Sequence, residues 1–243
     1  MAAPRPVEEL TKGTFPLAGA EQRVLREWVA KWTFDIDEFS DLAQPLVRGD
    51  ITSLERDYNS RVSQLHAQGV GLPESEQRAA QCYTRMRETR LKMPAMEVVI
   101  AGAQYHRRMA SHSSHKPTDS AIHICSHKCA DSVNRHGHPL SDHKGCLEFL
   151  HRIGVPVDSV DVAGFTAFMR ASQTAHSRLD LARVLLGLGA DVNHRSRFGG
   201  VALHEAIMAQ DRIATAFLSR NGASMDIRDN DGVSPRDIVS LIL

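Results

Sequence analysis

Leu186-Gly187-Leu188-Gly189-Ala190-Asp191-Val192-Asn193 is echoed by Leu218-Ser219-Arg220-Asn221-Gly222-Ala223-Ser224-Met225-Asp226. Ala190 to Ala223 is 33 residues, and so is Asn193 to Asp226. A fixed period between about 20 and 50 residues marks stacked repeats and decides the fold class before any single motif does. Working outward, Gly164, Gly199 and Gly232 stand 35 and 33 residues apart. Asp229-Asn230-Asp231-Gly232 is a tight-turn signal, because Asn and Asp bond their own backbone and Gly tolerates positive φ. A helix start follows each turn, at Thr166, Val201 and Ser234. Pro235 suits a first helical position, where its missing N–H would be unpaired anyway. Second helices are expected over 179–188 and 212–219, closed by Gly189 and Gly222 in the left-handed geometry of a helix C-cap.

Turn, helix, helix and glycine at this period resembles the ankyrin repeat, whose pattern runs roughly D-x-x-G-x-T-P-L-H-x-A-A with a later L-L-x-x-G-A-D-V-N. Gly199, Leu203, His204, Ala206, Gly222 and Ala223 match it, whereas Met169 stands where His is usual. Ser120-Ala121-Ile122-His123-Ile124-Cys125-Ser126 fits the helix start of an earlier unit, with a second helix over 144–151 ending at Gly154 and an inserted loop over 131–142. The chain as a whole is similar to fungal proteins in which degenerate ankyrin repeats precede a MYND-type zinc finger, but it has no such finger. The expectation is an all-α protein: a flexible tail over 1–20, a helical N-terminal region over 21–115, and a short ankyrin-type solenoid over 116–243. That solenoid comprises three units and a half unit. The last unit has a first helix and no second, which leaves Val239, Leu241, Ile242 and Leu243 partly uncovered. Terminal repeats normally carry a polar outer face. Either the half unit is the cap, or the N-terminal helices, a partner or residues lost from a longer parent shield it.

In the N-terminal region, Val24, Leu25, Trp28, Val29 and Trp32 form one apolar stripe, predicting a helix over 21–31. A stripe of Leu54, Tyr58, Val62 and Leu65 predicts another, capped by Asp50 or Thr52 and ended near Gly69. Two more are predicted over 75–92 and 95–110, with Pro94 between them. Leu46-Val47-Arg48-Gly49-Asp50-Ile51 reads either as the inter-helix turn of a decayed repeat or as an ordinary loop. Its Arg-Gly-Asp tripeptide matches adhesion motifs by chance in a chain read as intracellular.

The family resemblance implies a non-catalytic module that binds another protein through its turn tips and concave first helices. Carried over by position, the candidates are Val162 and Gln173 in one unit, Arg195, Arg197, Phe198 and Met208 in the next, and Arg228, Asn230 and Asp231 in the half unit. Arg195, Arg197 and Phe198 are the most suggestive, since Arg and aromatic side chains are enriched at interface hot spots.

Nine of thirteen histidines and three of four cysteines fall between His106 and His151. That density raises the alternative of a zinc-binding regulatory protein using residues 123–146, with Cys129, His136, His138 and His143 as ligands. The repeat reading explains much of the same cluster: His123 braces a turn as His204 does, and Cys125 and Cys146 pack as small core residues. No finger spacing is present, and no metal or other cofactor is expected. His204-Glu205 begins a His-Glu-x-x-His pattern, but Met208 replaces the second His; no phosphate loop or nucleophile elbow occurs either. No catalysis is expected.

Charges balance at 29 against 29. The basic stretch 77–116 holds 8 basic and 2 acidic residues, yet helical spacing spreads the charges around the axis, so no nucleic-acid partner is expected. No apolar run approaches the roughly 18 residues of a membrane span. The first residues lack an apolar signal core, and four unpaired-looking cysteines suit a reducing compartment, so cytoplasm or nucleus is expected.

Overall fold

A computed structural model describes residues 6–12, 17, 19–112, 141–173 and 179–242. The described residues form an all-α fold with two isolated β-bridges, Glu88 with Met93 and Val160 with Thr166. In chain order the helices are α1 (Val7–Leu10), α2 (Gly19–Ala30), α3 (Gln44–Arg48), α4 (Ile51–Ala67), α5 (Leu72–Thr84) and α6 (Ala95–His112). Then follow α7 (His143–Arg152), α8 (Ala167–Ser172), α9 (Leu179–Gly187), α10 (Ala202–Met208), α11 (Arg212–Arg220) and α12 (Pro235–Ile242). A 3₁₀ turn, Ile36–Glu38, lies between α2 and α3.

The helices stack in two rows. First helices run α3, α6, α8, α10 and α12, each packed on the next. Second helices α4, α7 and α9 pack side by side behind them, and each of α4, α7, α9 and α11 pairs with the first helix of its own unit. The rows therefore continue upstream of residue 116 to α3. Of the two readings of the Leu46–Ile51 stretch, the decayed inter-helix turn is the one observed. Gly49 takes φ +67° as the C-cap of α3, and Asp50 caps α4 by accepting the Ser53 N–H at 3.0 Å. That local role accounts for the Gly and Asp of the tripeptide. The same Asp device starts α7, where Asp142 accepts from Gly145 N at 2.7 Å, and α11, where Asp211 accepts from Ala214 N at 2.9 Å.

The predicted second helix over 144–151 appears as α7, but the place of first helix beside it is taken by α6. The expected helix start Ser120–Ser126 lies outside the described residues. Within the segment expected to be a loose tail, α1 forms one helical turn, and Leu10 and Leu17 are buried.

An apolar seam runs between the two rows, with Leu46, Met96, Leu147, Leu150, Phe168, Leu185, Leu203 and Leu218 buried along it. One turn–helix–helix unit cannot bury this face alone, so each neighbour supplies part of the cover. Closest approach occurs where α3 crosses α6: a Cβ on Gly102 would fall 2.7 Å from the Val47 Cα. No helix among the described residues is long and apolar enough to cross a membrane.

Candidate partner-binding surface

Each unit begins with a hairpin-like tip that its own backbone closes. Asp161 N–H donates to Phe165 O at 3.1 Å, Ser196 N–H to Gly200 O at 2.9 Å, and Asp229 N–H to Val233 O at 2.9 Å. The leading side chain fixes the turn: Asp161 Oδ1 accepts from Ala163 N and Phe165 N, and Asp229 Oδ1 accepts from Asp231 N and Val233 N. Successive tips are hooked together. Val162 N–H donates to Leu91 O at 3.0 Å, Arg197 N–H to Ala163 O at 3.0 Å, and Asn230 N–H to Phe198 O at 3.1 Å. This approach is why Gly164, with φ +75°, is glycine, since a Cβ there would lie 2.7 Å from the Arg197 nitrogen.

Side chains reinforce the hooks. His204 Nδ1 accepts the Val201 N–H at 3.1 Å while its Nε2 donates to Val233 O of the next tip at 3.1 Å, which sets the tautomer. Arg195 donates to Gly199 O at 3.1 Å and to Arg228 O at 2.8 Å. Asn230 Nδ2 donates to Arg197 O at 2.8 Å.

The nine candidate residues fall into three groups. Arg195, Met208, Arg228, Asn230 and Asp231 are exposed, Met208 at 50%. Val162, Arg197 and Phe198 are buried, at 3%, 7% and 5% exposure. Gln173 is half-buried and its Oε1 accepts from Arg170 Nη1 at 3.4 Å. Phe198 is therefore not the exposed aromatic that the turn-tip pattern suggests. The chain's own N-terminal segment covers it. Arg197 Nη1 donates to the Leu10 carbonyl, and the Arg26 guanidinium of α2 sits 4.5 Å from the Phe198 ring centroid. Farther along, Arg90 lies 5.0 Å over the Trp28 ring and donates to the Trp28 carbonyl at 3.3 Å. Phe34 stacks on Tyr105 of α6 at 4.6 Å. Residues 26–34 thus cross the tips and first helices from Phe198 back to α6. Burial raises the Glu205 carboxyl above its ordinary value, and Arg26 acts against that shift.

Beneath the tips lies a buried ionic triad that motif reasoning missed. Arg170 of α8 donates from Nε to Glu97 Oε1 of α6 at 2.7 Å and from Nη2 to Asp161 Oδ2 at 2.5 Å. Both carboxylate side chains are fully buried. A Glu inside the apolar run Met96–Ile100 was the available signal. Burial, then the neighbouring Asp161 charge, raises the Glu97 carboxyl well above the usual range, while Arg170 opposes both.

Of the zinc candidates, Cys129, His136 and His138 lie outside the described residues. His143 is buried, with its Nε2 3.1 Å from the Val47 carbonyl and its ring against Gly49. Among the described residues, no group of three or more His, Cys, Asp or Glu side chains is placed to hold a metal ion.

Residues 170–219 match the family described as ankyrin repeats, many copies. A putative ankyrin repeat protein of Acanthamoeba polyphaga mimivirus is 33% identical over 75 residues, 31% of this chain. The chain spans 10% of that relative's length. Over residues 170–219 sequence likeness and geometry agree on ankyrin-type repeats, and the described residues as a whole form an all-α stack.

Proposed function

We propose that this chain is a non-catalytic protein-interaction module that binds a partner protein through its turn tips and the exposed ends of its first helices. Ankyrin repeats generally mediate protein–protein interaction. One observation carries the reading here. Backbone hooks and caps satisfy the tips internally, so the exposed side chains of Asp231 and Met208 extend from a rigid frame, with the exposed Arg228 and Asn230 held in place by bonds to Asp237 and to the Arg197 carbonyl. Preorganisation of that kind lowers the entropy lost when a partner docks. The partner is read as protein rather than nucleic acid, met in cytoplasm or nucleus, and the role needs no MYND-type finger.

A photo-crosslinking residue at Asp231 or Met208 tests this in cell extract, with Lys144 on a second helix as control. Discrete adducts at Asp231, on a tip, and Met208, at a first-helix end, and none at Lys144 are expected. Identical adduct patterns at all three positions would refute a tip-directed surface. The zinc alternative rests on residues 123–146, and His143, the one candidate ligand among the described residues, supports a structural use instead. Elemental analysis of protein purified without chelator separates the two readings.

A further inference from the structure

The surface under α2 is the same face that the proposed function assigns to a partner, extended one unit upstream. We propose that α2 is a displaceable intramolecular occupant of this face, and that the partner docks there as an amphipathic helix presenting a cation and an aromatic ring in the places of Arg26 and Trp28. The inference deepens the proposed function and rests on it.

Three observations support displacement. First, the array does not need α2 to hold itself together. The hooks Leu91–Val162, Ala163–Arg197 and Phe198–Asn230 and the row α3–α6–α8–α10–α12 are closed without it. Second, the polar grip of α2 on the array consists of contacts at exposed arginines: the Arg26 guanidinium over Phe198, and Arg90 over the Trp28 ring with a bond to the Trp28 carbonyl. Its nearest helical neighbour is α1, not a repeat. Leu25 is its one fully buried apolar side chain, while Val24, Trp28 and Val29 are only half-buried. Segments held this way are drawn from the low-stability end of a protein's local openings. Third, what α2 covers has the make-up of a docking site. Phe198 at a tip and Glu205 on a first helix both answer the Arg26 guanidinium, so an aromatic ring and an acidic group lie within reach of one cation. An amphipathic helix laid across an apolar groove is a recurring mode of peptide recognition. Here the chain supplies the first example itself, with Arg26 answering both Phe198 and Glu205.

A tethered helix competes at an effective concentration on the order of millimolar, so a free helix must bind tightly or α2 must be weakened. Arg26→Glu removes the cation from Phe198 and sets two acids against each other at Glu205. The probe is a labelled peptide of residues 19–34 of this chain, added to the full chain and to the full-chain variant. The variant is expected to bind it at least tenfold more tightly than wild type. Hydrogen exchange supplies the second measurement and needs no variant: in wild type, α2 amides are expected to exchange at least tenfold faster than those of α8 and α10. Arg26→Glu should widen that gap and leave α8 and α10 unchanged. Equal exchange of α2, α8 and α10 in wild type would overturn the proposal, because α2 would then open only with the whole fold. Equal peptide affinity for the two proteins would also overturn it. Neither measurement involves the unidentified partner. Failure of the Asp231 crosslink with α2 still opening independently would count against the proposed function alone.

Discussion

Replacing Arg170 with methionine leaves the volume of the side chain nearly intact and removes the one cation shared by Glu97 and Asp161. Its Nε and Nη2 bonds, 2.7 and 2.5 Å long, tie α6 to α8 and to the tip of the same unit. Both carboxylates are fully buried, so the loss strands charge where water cannot reach. Breaking such a pair from one side costs about 3–5 kcal/mol, well above the range of an exposed pair. For a chain of this size, that lowers the melting temperature by roughly 6–20 °C. Adding Glu97→Gln should recover on the order of 1–2 kcal/mol, since one buried acid remains instead of two. Glu97→Gln alone has a further signature. The folded-state pKa of Glu97 is raised well above its ordinary value of 4.5, so between the two the native protein holds a proton that the unfolded chain has released. Stability from this group is present in acid and declines as pH rises from 4.5 through the raised folded value. The Gln variant should flatten that part of the stability–pH curve. Thermal and urea unfolding followed by circular dichroism reads all three proteins. A melting temperature for Arg170→Met within about 2 °C of wild type, as expected for an exposed pair, would refute the buried-triad reasoning.

Gly102→Ala should destabilise by about 1–3 kcal/mol in urea, because its methyl meets the Val47 backbone where α3 crosses α6. Gly187→Ala in α9 is the matched control: a methyl there meets nothing within 4 Å, so a gain of up to roughly 1 kcal/mol is expected. Asp211→Ala removes the acceptor for the Ile213 and Ala214 N–H groups and should cost about 1 kcal/mol, a fall of roughly 2–4 °C in melting temperature. Burial pushes the Cys146 thiol far above its ordinary value, so mass-spectrometric mapping should find Cys146 alkylated only after unfolding and the half-buried Cys82 before it.

The C-terminal units are legible because their backbone demands fall on distinctive residues. Glycine holds positive φ at 164, 199 and 232, and Thr166, Val201 and Ser234 stand at the N-caps of three successive first helices or directly before one. The unit built on α6 carries no such mark. At its tip, Thr89 and Lys92 adopt φ of 57° and 53°, so residues that usually avoid that region do what glycine does elsewhere. Its second helix also begins 31 residues after His112, beyond any regular period. Pro94, read as the break between two helices, stands immediately before α6, much as Pro235 opens α12. Arg197 and Phe198 were legible as contact residues, but their contact is internal. Arg26 and Phe198 are 172 positions apart, and a pairing at that separation leaves no periodic trace.

The hooks between tips have a consequence for how this array can change. Their donors are the main-chain nitrogens of Val162, Arg197 and Asn230, and their acceptors are the main-chain oxygens of Leu91, Ala163 and Phe198. The donors share no side-chain chemistry, whereas the three acceptors are all buried and apolar. The main-chain part of the fastening therefore does not depend on what each donor residue displays, and proline, having no N–H, is barred from a donor position. The donor position is aliphatic at Val162, cationic at Arg197 and an amide at Asn230, so the same backbone stitch persists under different tip side chains.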